Sequence, residues 1–165
     1  MRHARFLLFA MALLPLAACS PSNQAPGNDT EAALDAPAPA APQLPAAQAL
    51  AGVEPVSIQP EIMNDADLAV LGGIKGRCAF RLTRVAYPSL LYGNSNATIK
   101  LNGKLITLPL VAAGTYRDGP LSLTVSPAET AAPATDQHEV RMIIHPQSAR
   151  EERGYLGYAA CSAAS

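Results

Sequence analysis

The sequence predicts an all-β domain, a small antiparallel barrel or sandwich of about six to eight strands, preceded by a disordered Ala/Pro tether and a short helix. Three observations predict the strands. From Arg77 onward apolar residues recur with a period of two; turn-forming residues break that stretch into short runs; and an Asn-Gly pair joins two five-residue runs that alternate in phase. The chain has 165 residues, enough for one domain, and its 15 Pro and 11 Gly are too many for a helical bundle. A net charge of −1 excludes a simple polyanion binder on bulk electrostatics.

At the N-terminus, Arg2 and Arg5 precede an apolar run from Phe6 to Leu14. That run is far short of the roughly 20 residues of a membrane-spanning helix, and with its positive start it predicts a secretory signal over residues 1–18. Leu16-Ala17-Ala18-Cys19 resembles the lipobox of bacterial lipoproteins. The resemblance implies that Cys19 heads the mature chain, diacylated on sulfur and acylated on nitrogen, which suffices for stable membrane anchoring. Ser20 stands where an Asp would favour inner-membrane retention, so the implied address is the outer membrane with the head in the periplasm.

Removing residues 1–18 exposes a segregation of charge. Residues 20–69 hold seven acids and no Lys or Arg, whereas residues 70–165 hold ten bases and six acids. Between Ser20 and Gly52 there are eleven Ala and six Pro, with no aromatic and no β-branched apolar residue. Such a segment buries too little apolar surface to offset its ordering entropy, which predicts a disordered linker over residues 19–52. Pro37, Pro39, Pro42 and Pro45 favour polyproline II and stiffen its middle; the two PxxP matches among them suit a spacer. Residues 53–75 are transitional. Pro60 at the first helical position, Ile62, Ala66, Ala69 and Val70 on one face, and Gly72-Gly73 as a stop predict a short helix over 60–71.

The β domain spans residues 76–161, with a tail at 162–165. Cys78, Phe80 and Leu82 alternate with Arg77, Arg81 and Thr83, and Tyr87–Tyr92 forms a second run broken at Pro88. Next comes Ala97–Leu101, then Asn102-Gly103, then Lys104–Leu108. Asn-Gly suits a type I′ turn, whose two central residues need positive φ. A two-residue loop pairs Leu101 with Lys104 and so on to Ala97 with Leu108, placing Ile99, Leu101, Ile106 and Leu108 on one face and Thr98, Lys100 and Thr107 on the other. Asp118-Gly119-Pro120 is a turn, and Leu121, Leu123 and Val125 alternate behind it. Ala128–Gln137 is a loop; Val140, Met142 and Ile144 alternate up to Pro146; 147–154 is a charged loop; Tyr155–Cys161 closes the domain.

Once Cys19 is lipidated, two cysteines remain, Cys78 in the first head strand and Cys161 in the last. In an oxidising envelope compartment they predict a structural disulfide, whereas a redox pair is usually close in sequence.

The sequence offers little for catalysis, metal or cofactor. His138 and His145 are an odd number of positions apart, pointing to opposite faces of a shared strand, and fit exposed loop histidines better than ligands. There is no G-x-S-x-G, and Gly72-Gly73-Ile74-Lys75-Gly76 lacks the spacing of a phosphate loop. Glu151-Glu152 and Asp118 are isolated carboxylates without a partner at meaningful spacing. Basic residues are the better lead. Arg77 and Arg81 share the outward face of the first strand, and with Lys100, Tyr116 and Arg117 they make a candidate surface for an anionic glycan or an acidic envelope protein. Aromatic–basic interleaving of the kind that binds nucleic acid does not occur.

The stretch Ala97–Val125 carries an A-x-I-x-L-N-G-K hairpin, Leu108-Pro109, Gly114-Thr115-Tyr116 and Asp118-Gly119 before Leu121, between Cys78 and Cys161. On these residues the head resembles the membrane-bound inhibitors of c-type lysozyme. The resemblance implies a small envelope β-barrel, lipid-anchored and braced by cysteines near its ends. Ala113 stands where that family carries Ser, and residues 128–137 replace its Lys-Gly-x-x-Ala element, so of the inhibitory residues only Gly114 and Tyr116 match. The expected function is a non-catalytic binding or structural module of the envelope. The alternatives are a periplasmic inhibitor of a muramidase-like enzyme and, third, a small envelope enzyme.

Overall fold

The computed structural model describes residues 37–128, 137–147 and 152–163. The secretory signal, Cys19 and the first half of the tether lie outside the described residues, as do Glu151 and most of the 128–137 loop.

Eight antiparallel strands close into a barrel in sequence order: β1 (Cys78–Arg81), β2 (Leu90–Tyr92), β3 (Asn96–Leu101), β4 (Lys104–Ala112), β5 (Thr115–Asp118), β6 (Leu121–Pro127), β7 (His138–Pro146) and β8 (Arg153–Cys161), which returns to pair with β1. The all-β expectation holds, and closure decides for a barrel over a sandwich. Cys78 and Cys161 are direct partners across the β1–β8 seam and form the disulfide, their Cα atoms 3.8 Å apart. The bond joins residues 83 apart in sequence. In the chain-entropy picture, closing such a loop stabilises the fold by about 4–5 kcal/mol.

The β3–β4 hairpin forms as the sequence predicts, in every pair from Ala97–Leu108 to Leu101–Lys104. Asn102 and Gly103 take φ of 49° and 68°, the type I′ conformation. Ile99, Leu101, Ile106 and Leu108 point inward and join Phe80, Leu90, Tyr116, Leu123 and Met142 in a continuous apolar core. The barrel interior is therefore packed with side chains, as expected for eight strands.

Residues 37–52 correct the tether expectation: they are ordered on the barrel rather than disordered. β2 and β5 are short and leave part of the β3–β4 hairpin without a neighbour, and the incoming chain fills both gaps. On one side the Leu44 amide donates to the Leu105 carbonyl and the Leu105 amide to the Pro42 carbonyl, each at 3.0 Å. On the other side Pro60 bridges Leu101, and the Glu61 amide donates to the Lys100 carbonyl. Between these contacts α1 (Ala46–Ala49) buries Ala46 and Ala49, which with Ile58 belong to the same cluster as the barrel interior. Small alanines let the helix lie close over this end of the barrel. Glu61 accepts from the Gly103 amide and Asn102 donates to the Ser57 carbonyl, so the hairpin turn itself is gripped. The Ala/Pro composition that signals disorder works here as a strap: prolines lower the entropy of the free segment, and the sheet supplies partners that an isolated peptide lacks.

The short helix is α2 (Asp65–Val70), later in starting than the expected 60–71. Asn64 caps it, in a reciprocal box with Asp67, so Pro60 precedes the helix instead of opening it. The expected buried face is also corrected. Ile62 and Val70 are exposed, while Met63 and Asp67 are buried and Leu71 partly so. That line faces the outside of β1–β4, where Met63 packs with Ala79, Leu91 and Leu105. This second layer is why Thr98, on the outward side of the hairpin, is buried and shares a 2.9 Å hydroxyl contact with Thr107.

Candidate functional site

A groove of about 630 Å³ opens on the outside of the barrel beside α2. Its floor is Arg81 of β1 and Ala160 of β8, which lie near each other because β1 and β8 pair across the seam. One wall is Leu68 of α2 with Gly73 and Ile74 behind it. The other is the β1–β2 connection from Arg84 to Pro88.

That connection is pinned at several points. The Ser89 amide donates to the Phe80 carbonyl at 2.9 Å, and the Met63 amide to the Pro88 carbonyl at 2.8 Å. Tyr87 reaches the Asp65 carboxylate at 3.4 Å, and Gln137 donates to the Arg84 carbonyl. The Arg84 guanidinium lies 4.2 Å from the centre of the Tyr158 ring, a cation–π stack. Pinning both ends pushes the middle outward: Val85 is 95% exposed, with Tyr87 at 47% and Ile74 at 38% around it. Singly exposed apolar residues are ordinary, but three around one concavity that Arg81 and Arg84 also line make it the candidate site among the described residues.

A second concavity of about 370 Å³ lies where the strap crosses β4, lined by Gln43, Leu44, Leu105, Thr107 and Asp118. Its one carboxylate is engaged, since Asp118 accepts from the Ala46 amide at 2.7 Å and so caps α1.

Residues 15–164 match the family described as Domain of unknown function (DUF6692). The chain belongs to this family. The DUF6692 span takes in Leu16–Cys19, the strap and the whole barrel. No curated protein and no solved structure matches the chain.

In this DUF6692 barrel the five residues expected to form a partner surface do not converge. Arg77 donates through its guanidinium to the Leu71 and Gly73 carbonyls and so secures the C-terminal end of α2. Lys100 is paired with the buried Asp67 at 2.7 Å. Tyr116 points into the barrel, where its hydroxyl donates to the Gly93 carbonyl at 2.9 Å. Burial raises the Tyr116 pKa. Gly114, the other residue shared with the lysozyme-inhibitor pattern, takes φ of 68° and backs onto the Val125 carbonyl, which leaves no room for a Cβ. Arg117 is exposed on β5, and Arg81 alone of the five lines the groove.

The histidines are also corrected: both lie in β7, not in loops, with His138 exposed at its start and His145 half-buried, 3.7 Å from the exposed Glu152. Among the described residues no three His, Cys, Asp or Glu side chains gather to hold a metal. The groove residues Ile74, Arg84, Val85 and Tyr87 went unnoticed in the sequence because the segment has no period and joins two strands. The available signal was Arg84-Val85-Ala86-Tyr87, an isolated Val with an Arg before it and a Tyr two residues on, in a stretch too irregular to be a strand.

Proposed function

We propose that this DUF6692 protein is a lipid-anchored envelope module, acylated at Cys19, held at the outer membrane with its barrel in the periplasm, and acting as a non-catalytic binding or structural domain. The observation that carries the proposal is the Cys78–Cys161 disulfide. It accounts for two of the three cysteines, suits an oxidising compartment, and leaves Cys19, in its lipobox-like setting, as the sulfur available for acylation. The packed interior directs any binding to the outer surface, where the groove beside α2 combines apolar walls with Arg81 and Arg84. Labelling of producing cells with radioactive palmitate tests the anchor. Label on the wild-type protein that is lost in Cys19→Ala supports it; equal label on both, or on neither, overturns it.

A second reading is inhibition of a muramidase-like enzyme, favoured by the barrel with its end-joining disulfide, the shape that the lysozyme-inhibitor resemblance implies. Gly114 and Tyr116 serve the fold, so inhibition would have to run through other residues. A lysozyme assay with the detergent-solubilised mature protein separates the readings: no effect at micromolar protein removes the inhibitor for the enzyme tested.

A further inference from the structure

The first turn of α2 holds two things side by side. Asn64 donates through its side-chain amide to the Ala38 and Pro39 carbonyls, fixing the start of the strap close to residue 37, where the described chain begins. The next residue, Asp65, accepts from the Tyr87 hydroxyl and so touches the loop that carries Val85. The start of the described chain and the exposed apolar loop are thus held by consecutive residues. Residues 20–36, between Cys19 and that start, reach at most about 60 Å even fully extended.

From this juxtaposition we infer that the 84–88 loop is a second, non-covalent contact to the anionic leaflet that carries the lipid anchor. The inference rests on the acylation of Cys19 proposed above. Val85 on one wall of the groove and Ile74 on the other enter the acyl boundary, and Tyr87, half exposed with a polar end, sits at headgroup level as interfacial aromatic residues do. Arg81 lies on the floor of the same groove, where its cation can meet a lipid phosphate. An anchor joined to the chain beside the first turn of α2 keeps the leaflet at high effective concentration, so a contact too weak to hold a free barrel is populated in the tethered one. The barrel then lies on the membrane on its α2 side instead of swinging on the tether.

The test uses the absence of Trp from the sequence. Val85→Trp places a lone indole on the 84–88 loop, and Val111→Trp places one at a 57% exposed position of β4 as a control. Each protein is checked by mass for acylation, so loss of the anchor registers separately, and is then reconstituted in phosphatidylglycerol-containing or pure phosphatidylcholine vesicles. In the phosphatidylglycerol vesicles, emission from position 85 is expected at shorter wavelength and quenched by brominated acyl chains, while position 111 emits as in water. Adding Arg81→Glu is expected to remove the shift at 85. The inference is overturned if position 85 emits as in water in the anionic vesicles, if 111 shifts as far as 85, or if the shift is as large in phosphatidylcholine. A shift in detergent that grows with protein concentration assigns the groove to a second copy and also overturns it.

Discussion

The Asp67 carboxylate lies 2.7 Å from the Lys100 ammonium, the acid fully buried and the lysine side chain 14% exposed. The same carboxylate accepts from the amides of Ala41 and Asn64, at 2.7 and 2.9 Å. One side chain therefore ties the strap, α2 and β3 together. Removing Lys100 alone, as in Lys100→Met, leaves a buried charge without its counter-ion and is expected to cost about 3–5 kcal/mol. Asp67→Leu with Lys100→Met should cost clearly less than the sum of the two single changes, because no charge is then stranded. Urea midpoints at constant m-value measure both; additive costs would contradict the coupling.

Acid should loosen the strap. Burial alone would raise the Asp67 pKa, but the Lys100 ammonium and the amides of Ala41 and Asn64 outweigh it and hold the carboxyl below its ordinary value of 3.8. The folded state thus binds this proton less readily than the unfolded chain. The stabilisation is complete above pH 3.8 and lost as pH falls through the lowered folded value. Hydrogen exchange at the Ala41 amide is expected to accelerate in that acid window while the β6–β7 amides stay protected. Asp67→Asn should show fast exchange at Ala41 already at neutral pH.

Alkali acts on the other side of the scale. Burial, with a smaller contribution from the neighbouring Tyr116, pushes Tyr92 up to about 12 from an ordinary 10.0. A raised acid favours the protonated fold, so its contribution is full below pH 10 and is lost as pH climbs toward 12. Phenolate absorbance should show a late-titrating tyrosine in the folded protein, and Tyr92→Phe should remove that step and flatten the stability slope in this range.

Two glycines of β8 make a matched pair. A Cβ at Gly157 would sit 2.4 Å from the Arg81 carbonyl oxygen and 2.6 Å from the Phe80 ring, whereas a Cβ at Gly154 would meet nothing within 4 Å. Gly157→Ala must move β1 backbone at the barrel seam and is expected to cost at least 1–3 kcal/mol, roughly the range for overpacking. Gly154→Ala is expected to stay within about 0.5 kcal/mol of wild type. Thermal or urea unfolding of the two variants decides; equal effects would contradict the close β1–β8 approach.

What the sequence made legible follows from how local each determinant is. The β3–β4 register was readable because Asn102-Gly103 fixes the turn within the same dozen residues that carry the alternation. The strap was not, because the partners that order Pro42 and Leu44 lie at Leu105, some sixty positions away, and its own composition looks unstructured. Asp67 had no signal of its own in the sequence beyond its place among the seven acids of residues 20–69. Only the fold brings Lys100 over it and buries Met63 and Asp67 instead of Ile62 and Val70. The groove was hidden for the same reason, since its floor and walls come from β1, β8, α2 and a connection that no period marks. Arg81 was foreseen as outward-facing, while Arg77, Lys100 and Tyr116 were absorbed by structural contacts that only tertiary proximity reveals.

The proposed anchoring at Cys19 would place this barrel at a membrane, and intact mass spectrometry of the protein extracted from membranes tests it most directly. The predicted result is a chain that begins at Cys19, heavier than its residues by a diacylglyceryl group and an amide-linked acyl chain, with Cys78 and Cys161 resistant to alkylation until reduced. A chain that begins elsewhere, or carries Cys19 as an unmodified thiol, would contradict it.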